Sequence, residues 1–268
     1  MGIFQGFSEF LPISSSGHLA VLQYFFGIEE GNLFLATMLH LGTLISIFVV
    51  YFNDIKLMII EFLKLIYSAI KKEKIKLNKY QKYAIMIIIS TIPTVIVALI
   101  FKDLVDSLFT NIRFISIAFI FTGFLLWIAS KRYKEEKSIK EASVLDAILI
   151  GLAQAFAIVP GISRSGSTIV ASLLRSFNKD VATEYSFILA IPTIFGAALL
   201  GFIDVAKGNV GILINGQLII GVVLSAIVGI ISIKGLVGIL NKNKLHYFSY
   251  YLWAVGIIIL FMSRWFNA

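Results

Sequence analysis

The hydropathy pattern along the chain falls into two kinds of segment. Six apolar runs, at 33–52, 83–101, 112–130, 183–203, 217–233 and 246–263, approach or reach the ~20 residues that one helix needs to cross a bilayer core. Two other regions, 1–27 and 144–177, break that pattern, because each has a proline and a Ser/Gly cluster in its middle. The apolar stretch on either side is too short to span. A short helix, a polar turn and a second short helix make a re-entrant hairpin, which a bilayer tolerates where protein or a wet cavity covers the irregular backbone. The pattern therefore predicts an all-α integral membrane protein of six transmembrane helices and two re-entrant helical hairpins.

The lysines then orient these elements. Loop 54–82 carries Lys56, Lys64, Lys71, Lys72, Lys74, Lys76, Lys79 and Lys82, which places it in the cytoplasm. From Asp54 to Lys72 it alternates Leu/Ile/Phe with Lys/Glu at helical spacing, the pattern of a helix lying along the membrane surface. Counting outward, loops 131–143, 178–182 and 234–245 are also inside, and the nearly uncharged 102–113 and 204–211 are outside. Hairpin one then opens outward and hairpin two toward the cytoplasm. That opposition is the mark of an inverted repeat. Gly2, Gln5 and Ser16-Gly17 match Gly151, Gln154 and Ser165-Gly166; Thr43, Phe52 and Asp54 match Thr193, Phe202 and Asp204. Farther on, Leu104-Val105, Ser116 and Gly123 match Leu236-Val237, Ser249 and Gly256. With no linker in sight, residues 1–268 read as one membrane domain with halves of about 1–130 and 144–268. Trp127, Trp253, Trp265, Tyr51 and Tyr83 sit near span ends, as interfacial aromatics do.

Composition agrees. The chain is 59% hydrophobic and 14% charged, with a mean hydropathy of +0.93, far from the ~25% charged of soluble domains. The net charge of +8 comes from short loops between spans, which argues for membrane orientation and against nucleic acid. There is no cysteine, so disulfides and cysteine metal sites are excluded. The first residues do not read as a signal peptide, since they lack a basic start and Glu9 and Pro12 interrupt the apolar run.

Candidate chemistry sits in the two polar turns. An ionisable group at membrane depth costs roughly 2.5–3.5 kcal/mol, so Glu9, His18 and Arg164 need a reason to be there. A structural Glu9–Arg164 pair joining the hairpins is the plainest reason. It leaves the surrounding hydroxyls unexplained. Gln5 and Glu9, four apart, share a helix face and offer oxygen to a hard divalent cation such as Mg2+ or Ca2+. Ser14 to Gly17 and Ser163 to Gly166 each precede a helix, with serine in the cap role. Two helix N-termini meeting from opposite sides suit a multiply charged anion, and Arg164 adds a fork suited to phosphate. The candidate phosphate ligands are Ser14, Ser16, Ser163, Arg164, Ser165 and Thr168. Ser15 and His18, three apart, can lie on one side, so His18 could take the proton of Ser15 during phosphoryl transfer. Spacing does not choose between Ser15 and Ser14. His40 reads as a satisfied interior histidine and His246 as interfacial; Asp146 and Glu184 are expected to pair with cytoplasmic Lys/Arg, and Pro93 and Pro192 to kink their helices.

QGFSE with FLPISSSGH, and PGISRSGST, closely resemble the signatures of the undecaprenyl-diphosphate phosphatases of the bacitracin-resistance type. The resemblance runs from Gly2 to the C-terminus. It implies hydrolysis of undecaprenyl diphosphate to the monophosphate and inorganic phosphate, recycling the lipid carrier of cell-envelope synthesis. It further implies a plasma-membrane site open to the outer side, with Glu9, Ser15, His18 and Arg164 essential and a divalent cation assisting. Ser14, Ser163 and Thr168 fall on further motif positions. Two departures stand out: Gln5 replaces a glutamate common in that family, and members usually carry more apolar residues before Gly2. The implied partners are the polyprenyl diphosphate and the bilayer, and a homodimer is compatible with the sequence. The rival reading is a transporter or flippase of anionic lipid, which inverted repeats also serve but which would not need Ser15 with His18. Ser16-Gly17-His18 also resembles the core of the phosphatidic acid phosphatases, which keeps a phosphohistidine at His18 as an alternative to a phosphoserine at Ser15.

Overall fold

The computed structural model describes residues 1–26, 33–74, 76–133, 137–206 and 216–265. These form α1 (Gly2–Phe10), α2 (Ser15–Phe26), α3 (Leu33–Val50), α4 (Phe52–Ile70), α5 (Lys79–Ile100) and α6 (Lys102–Leu108) in the first half. After α7 (Ile112–Arg132) and a 3-10 turn at Ile139–Glu141 come α8 (Val144–Phe156), α9 (Arg164–Leu174), α10 (Lys179–Ala206), α11 (Gly216–Asn241) and α12 (His246–Trp265). Among the described residues there is no strand, only an isolated bridge between Lys137 and Phe177. Polar caps set several starts: Asn78 with Gln81 and Ser143 with Asp146 form capping boxes, and Asn111 accepts from the Phe114 amide. Each supplies a partner to an N–H that the helix itself leaves unpaired.

Five helices, α5, α7, α10, α11 and α12, contain stretches long and apolar enough to cross a bilayer. A sixth candidate is α3 taken together with α4, which bend by 82° at their junction; α3 alone has 18 residues, about 27 Å. The protein is thus a multi-span helical membrane protein. Helix α4 leaves Phe52, Ile59, Leu63 and Ile70 exposed along one side, the face that the sequence pattern assigns to lipid.

Some expectations are corrected. Helix α11 runs on to Asn241, although the pattern ends the span at 233. A lysine at 234 ends a bilayer crossing but not a helix, and Leu236 and Leu240 beyond it are buried. Part of loop 102–113 is helical, as α6. Tyr83 is not interfacial: it is fully buried against Tyr185, ring centroids 6.1 Å apart. Trp253, in α12, packs against α7, its indole N–H donating to the Ile120 carbonyl at 3.2 Å. Asp146 makes its expected pairs, with Arg175 at 2.5 Å and Lys137 at 3.3 Å. Glu184 makes none among the described residues, and its Oε1 is buried without a hydrogen-bond partner. Most of loop 204–211 and the side chains of Asp204 and Trp265 lie outside the described residues.

The packing is in keeping with an inverted repeat. Helix α1 lies against α11 and α8 against α5, the same pairing with the halves exchanged. Between α7 and α12, the matched residues contact one another crosswise. A Cβ on Gly123 would lie 3.1 Å from the Ser249 carbonyl oxygen, and one on Gly256 would lie 2.8 Å from that of Ser116. Close approach of glycine to backbone is how helices pack tightly in lipid, where no hydrophobic force drives them together. The buried core runs through both halves and includes Phe10, edge-on to Phe187 at 5.3 Å.

Candidate active site

Two turns build the site. Helix α1 stops at Phe10, before Pro12, and the chain reverses through Ser14 at a φ of 68°. The Ser14 hydroxyl then accepts from the Gly17 amide at 3.3 Å. Helix α8 stops at Phe156, and here the positive φ, 90°, falls on Gly161, which bears it without a Cβ penalty. Ser163 caps α9 by accepting from the Gly166 amide at 3.1 Å. The turns cross at their glycines: a Cβ on Gly17 would come within 2.7 Å of Gly161 Cα, and one on Gly166 within 3.3 Å of Pro12. Ser165 Oγ donates to the Leu11 carbonyl at 3.2 Å, tying one turn to the other. From α7, Thr122 donates to the Gly161 carbonyl at 3.3 Å and accepts from the Ser163 amide at 3.4 Å.

Where the turns meet, Glu9 is the hub. Its carboxylate is 6% exposed. Oε1 accepts from Arg164 Nη2 at 2.5 Å. Oε2 accepts from Ser15 Oγ at 2.7 Å and from Gln5 Nε2 at 3.0 Å, and it faces His40 Nε2 at 3.4 Å. The other terminal nitrogen of Arg164 donates to the Ser186 carbonyl at 3.3 Å. A charge so placed is stable only with such partners, since each unpaired ion would carry several kcal/mol of desolvation, on the order of its Coulomb gain.

His18 is placed differently from expectation. It does not meet Ser15. Its Nδ1 lies 2.9 Å from the Ser14 carbonyl, an acceptor, so the proton sits on Nδ1 and Nε2 is left to accept from the Tyr251 hydroxyl at 2.9 Å. The ring is packed by Phe119, centroid to centroid 4.6 Å, and by Phe4 at 5.3 Å. Ser15 instead has a carboxylate as its proton acceptor.

The expected phosphate ligands divide in two. Ser14 and Ser163 cap, Ser165 ties the turns, and Thr168 donates to the Arg164 carbonyl at 2.9 Å and pairs with Ser186 Oγ at 2.6 Å. These hydroxyls hold the frame. Arg164, Ser15 and Ser16, at the first turns of α9 and α2, remain partly exposed. Three neighbours were not legible as site residues: His40, Ser186 and Tyr251. Only His40 carried a signal, being an ionisable group inside a span.

Gln5 and Glu9 fit a hard cation in kind. Gln5 is buried and its Oε1 has no hydrogen-bond partner, while its Nε2 donates to Glu9 Oε2, so an amide and a carboxylate adjoin. Among the described residues no three His, Cys, Asp or Glu stand close enough to hold a metal by themselves.

Fold and site together define a class: polytopic helical membrane proteins with a buried, hydrogen-bonded ionic centre between two helix-turn-helix elements. Within that class the chain belongs to the family described as bacitracin resistance protein BacA, which it matches over residues 1–258. It is 46% identical over 265 residues to the undecaprenyl-diphosphatase of Alkaliphilus metalliredigens, covering 98% of this chain and 96% of that protein. Identity to the undecaprenyl-diphosphatase of Halothermothrix orenii is 41% over 263 residues, 98% of this chain and 96% of the relative. That of Carboxydothermus hydrogenoformans is 37% identical over 266 residues, 98% and 95% of the two chains.

Proposed function

We propose that the protein hydrolyses undecaprenyl diphosphate to undecaprenyl phosphate and inorganic phosphate, at a site within the plasma membrane that opens to the extracytoplasmic side. The observation that carries this reading is the Glu9 hub, one carboxylate that holds both a serine hydroxyl and the guanidinium of the opposite turn. Family membership and three relatives named undecaprenyl-diphosphatase support it.

Ser15 Oγ attacks the terminal phosphorus. The Oγ–P bond forms, the bond from phosphorus to the bridging oxygen breaks, and the lipid monophosphate leaves with that oxygen. The Ser15 proton passes to Glu9 Oε2, its hydrogen-bond acceptor. Once Glu9 has passed that proton to the departing monophosphate, water opens the phosphoserine, its proton going to Glu9 and on to Ser15 Oγ as inorganic phosphate leaves. Arg164 and the first-turn amides of α2 and α9 hold the non-bridging oxygens as charge redistributes. Gln5 and Glu9 would hold the assisting divalent cation, which supplies further neutralisation of the diphosphate. A phosphohistidine is disfavoured because both His18 nitrogens are engaged, by the Ser14 carbonyl and Tyr251.

Sidedness rests on the lysines of 54–82, which put α4 in the cytoplasm and hairpin one on the opposite side. The lipid tail would lie among the outward apolar faces of the spans, with its headgroup presented to the serine-bearing turn. The test is phosphate release from undecaprenyl diphosphate by the detergent-solubilised protein. A Ser15→Ala protein that keeps full activity would sink the assignment. Lipid movement without hydrolysis in vesicles would support the transporter reading instead.

A further inference from the structure

We propose that Tyr251 is a positioning residue of the active site, which acts through His18 to hold the peptide that precedes the nucleophile. The inference takes its purpose from the phosphatase reading, while one arm of its test uses no substrate. The Tyr251 hydroxyl, on α12, donates to His18 Nε2 at 2.9 Å. His18 Nδ1 in turn donates to the Ser14 carbonyl at 2.9 Å. That carbonyl belongs to the peptide joining Ser14 to Ser15.

Three observations give this chain of contacts a function. First, Ser14 sits at a φ of 68°, a left-handed conformation that a residue with a Cβ keeps only where its surroundings impose it. Its carbonyl takes both the backbone N–H and the ring N–H of His18. The orientation of that carbonyl sets the start of α2, and with it the 2.7 Å contact between Ser15 Oγ and Glu9 Oε2. Second, the two turns are braced by different means. Turn two is held directly from α7, where Thr122 bonds the Gly161 carbonyl and the Ser163 amide. In turn one, among the described residues, the Ser14 carbonyl is tied to a distant helix only by way of the imidazole. Third, that imidazole has little freedom. Phe119 and Phe4 pack on it at 4.6 Å and 5.3 Å, and the Tyr251 ring lies nearly parallel to it, 5.7 Å away at 11°.

A bond from Nδ1 to the carbonyl four residues back does not by itself mark such a role. His40 makes the same bond to Ala36, where it serves to satisfy a histidine in the middle of a helix. At His18 the carbonyl so held adjoins the nucleophile, and a hydroxyl from α12 holds the holder. Without that hydroxyl the imidazole is free to rock, and Ser15 with it. A shift of about 1 Å from the line of attack can cost on the order of 10²-fold in rate. On this reading His18 holds the turn and moves no proton.

The test removes the hydroxyl and keeps the ring. In detergent-solubilised full-length protein, Tyr251→Phe should lower kcat for phosphate release from undecaprenyl diphosphate by about 10- to 100-fold, with KM and the thermal midpoint unchanged. A merely structural contact would move the midpoint and spare kcat, and a substrate contact would move KM. His18→Asn keeps an N–H near the position of Nδ1, so it should retain more activity than His18→Ala; a proton-transferring histidine would lose as much in either variant. Adding Tyr251→Phe to His18→Asn should cost less than about twofold, because residues that act through one contact are not additive. The arm without substrate is 15N NMR of histidine-labelled protein, with His18 assigned among the three histidines by its absence in His18→Asn. Nδ1 should carry the proton, and the Nε2 resonance should move downfield in Tyr251→Phe as its donor is lost. The proposal is overturned by an unchanged kcat in Tyr251→Phe, by equal activity of the two His18 variants, by an undiminished effect of Tyr251→Phe in His18→Asn, or by an Nε2 resonance that stays in place. An unaltered chain that releases no phosphate fails the phosphatase reading instead, and the resonance then decides whether Tyr251 holds His18.

Discussion

The two hairpins match in their frame residues and differ in their chemistry residues. Ser14 and Ser163 both cap the returning helix through the third amide along, and each is followed, one residue later, by a Ser-Gly pair that meets the other turn. In this register Ser15 corresponds to Arg164, His18 to Ser167, and Glu9 to Ile158. Gln5 and Gln154 keep the same amide with a buried, unpartnered oxygen, but Gln154 donates to Thr94 and finds no carboxylate beside it. The first hairpin thus holds the proposed nucleophile and base, and the second holds the guanidinium proposed to bind the phosphate. The lesson is that a repeat fixes where groups meet, through backbone contacts that side-chain changes leave intact, and so lets the two halves diverge in charge.

Breaking the chemistry of one copy should have the largest effect. Ser15→Ala removes the proposed nucleophile, and phosphate release should fall by about 10⁴-fold or more while substrate binding stays near normal. A fall in binding with turnover preserved would move Ser15 into the frame. Arg164→Ala should lower turnover by about 10²–10³-fold, and it also strands Glu9 without its cation. Arg164→Lys should not restore the rate, because a point charge cannot bond Glu9 and the Ser186 carbonyl from one planar fork. Recovery with lysine would mean that charge alone is needed.

How much of this was legible from residues follows the same division. The spans are written in apolar length, and the hairpins in prolines and serines at their centres. Glu9 and Arg164 stood out because charge at membrane depth is expensive. What the pattern could not give was direction within the site. Spacing allowed Ser15 to face His18, but α2 turns Ser15 to Glu9 and His18 to Tyr251, and that choice depends on contacts with α1 and α12. Ser186 and Tyr251 carry no local signal, since a serine or tyrosine in a span is ordinary until a neighbour makes it otherwise. His40 did carry one, as an ionisable group inside a span, and it is satisfied by the Ala36 carbonyl and Glu9; Lys234 marks the expected edge of a membrane but does not end its helix.

Making the copies alike in charge tests the comparison from the other side. Ile158→Glu gives the second hairpin the carboxylate of the first, without Arg164 or Ser15 positioned beside it. The cost should be about 2.5–3.5 kcal/mol of stability with no new activity, read from thermal unfolding in detergent. An unchanged midpoint would show that Ile158 sees water and that the second turn is not at depth.

The smallest effect expected is also the one that separates the two turns most finely. Gly17 and Gly166 occupy matched positions, yet their surroundings differ. A Cβ at Gly17 would lie 2.6 Å from a Phe119 ring carbon and 2.7 Å from the Gly161 backbone, and neither can move without disturbing the crossing of the turns. At Gly166 the nearest atoms are Ser163 Cβ at 3.1 Å, Ser163 Oγ at 3.2 Å and Pro12 Cβ at 3.3 Å, which need give only a few tenths of an ångström. Gly17→Ala should therefore destabilise by about 1–3 kcal/mol, the range for overpacking a tight core, and Gly166→Ala by less than about 1 kcal/mol. Activity should follow the same order, because a displaced Gly161 shifts Ser163 and with it the start of α9 that carries Arg164. Equal effects at the two glycines would mean that the crossing is symmetric and that the asymmetry of the site lies in its side chains alone.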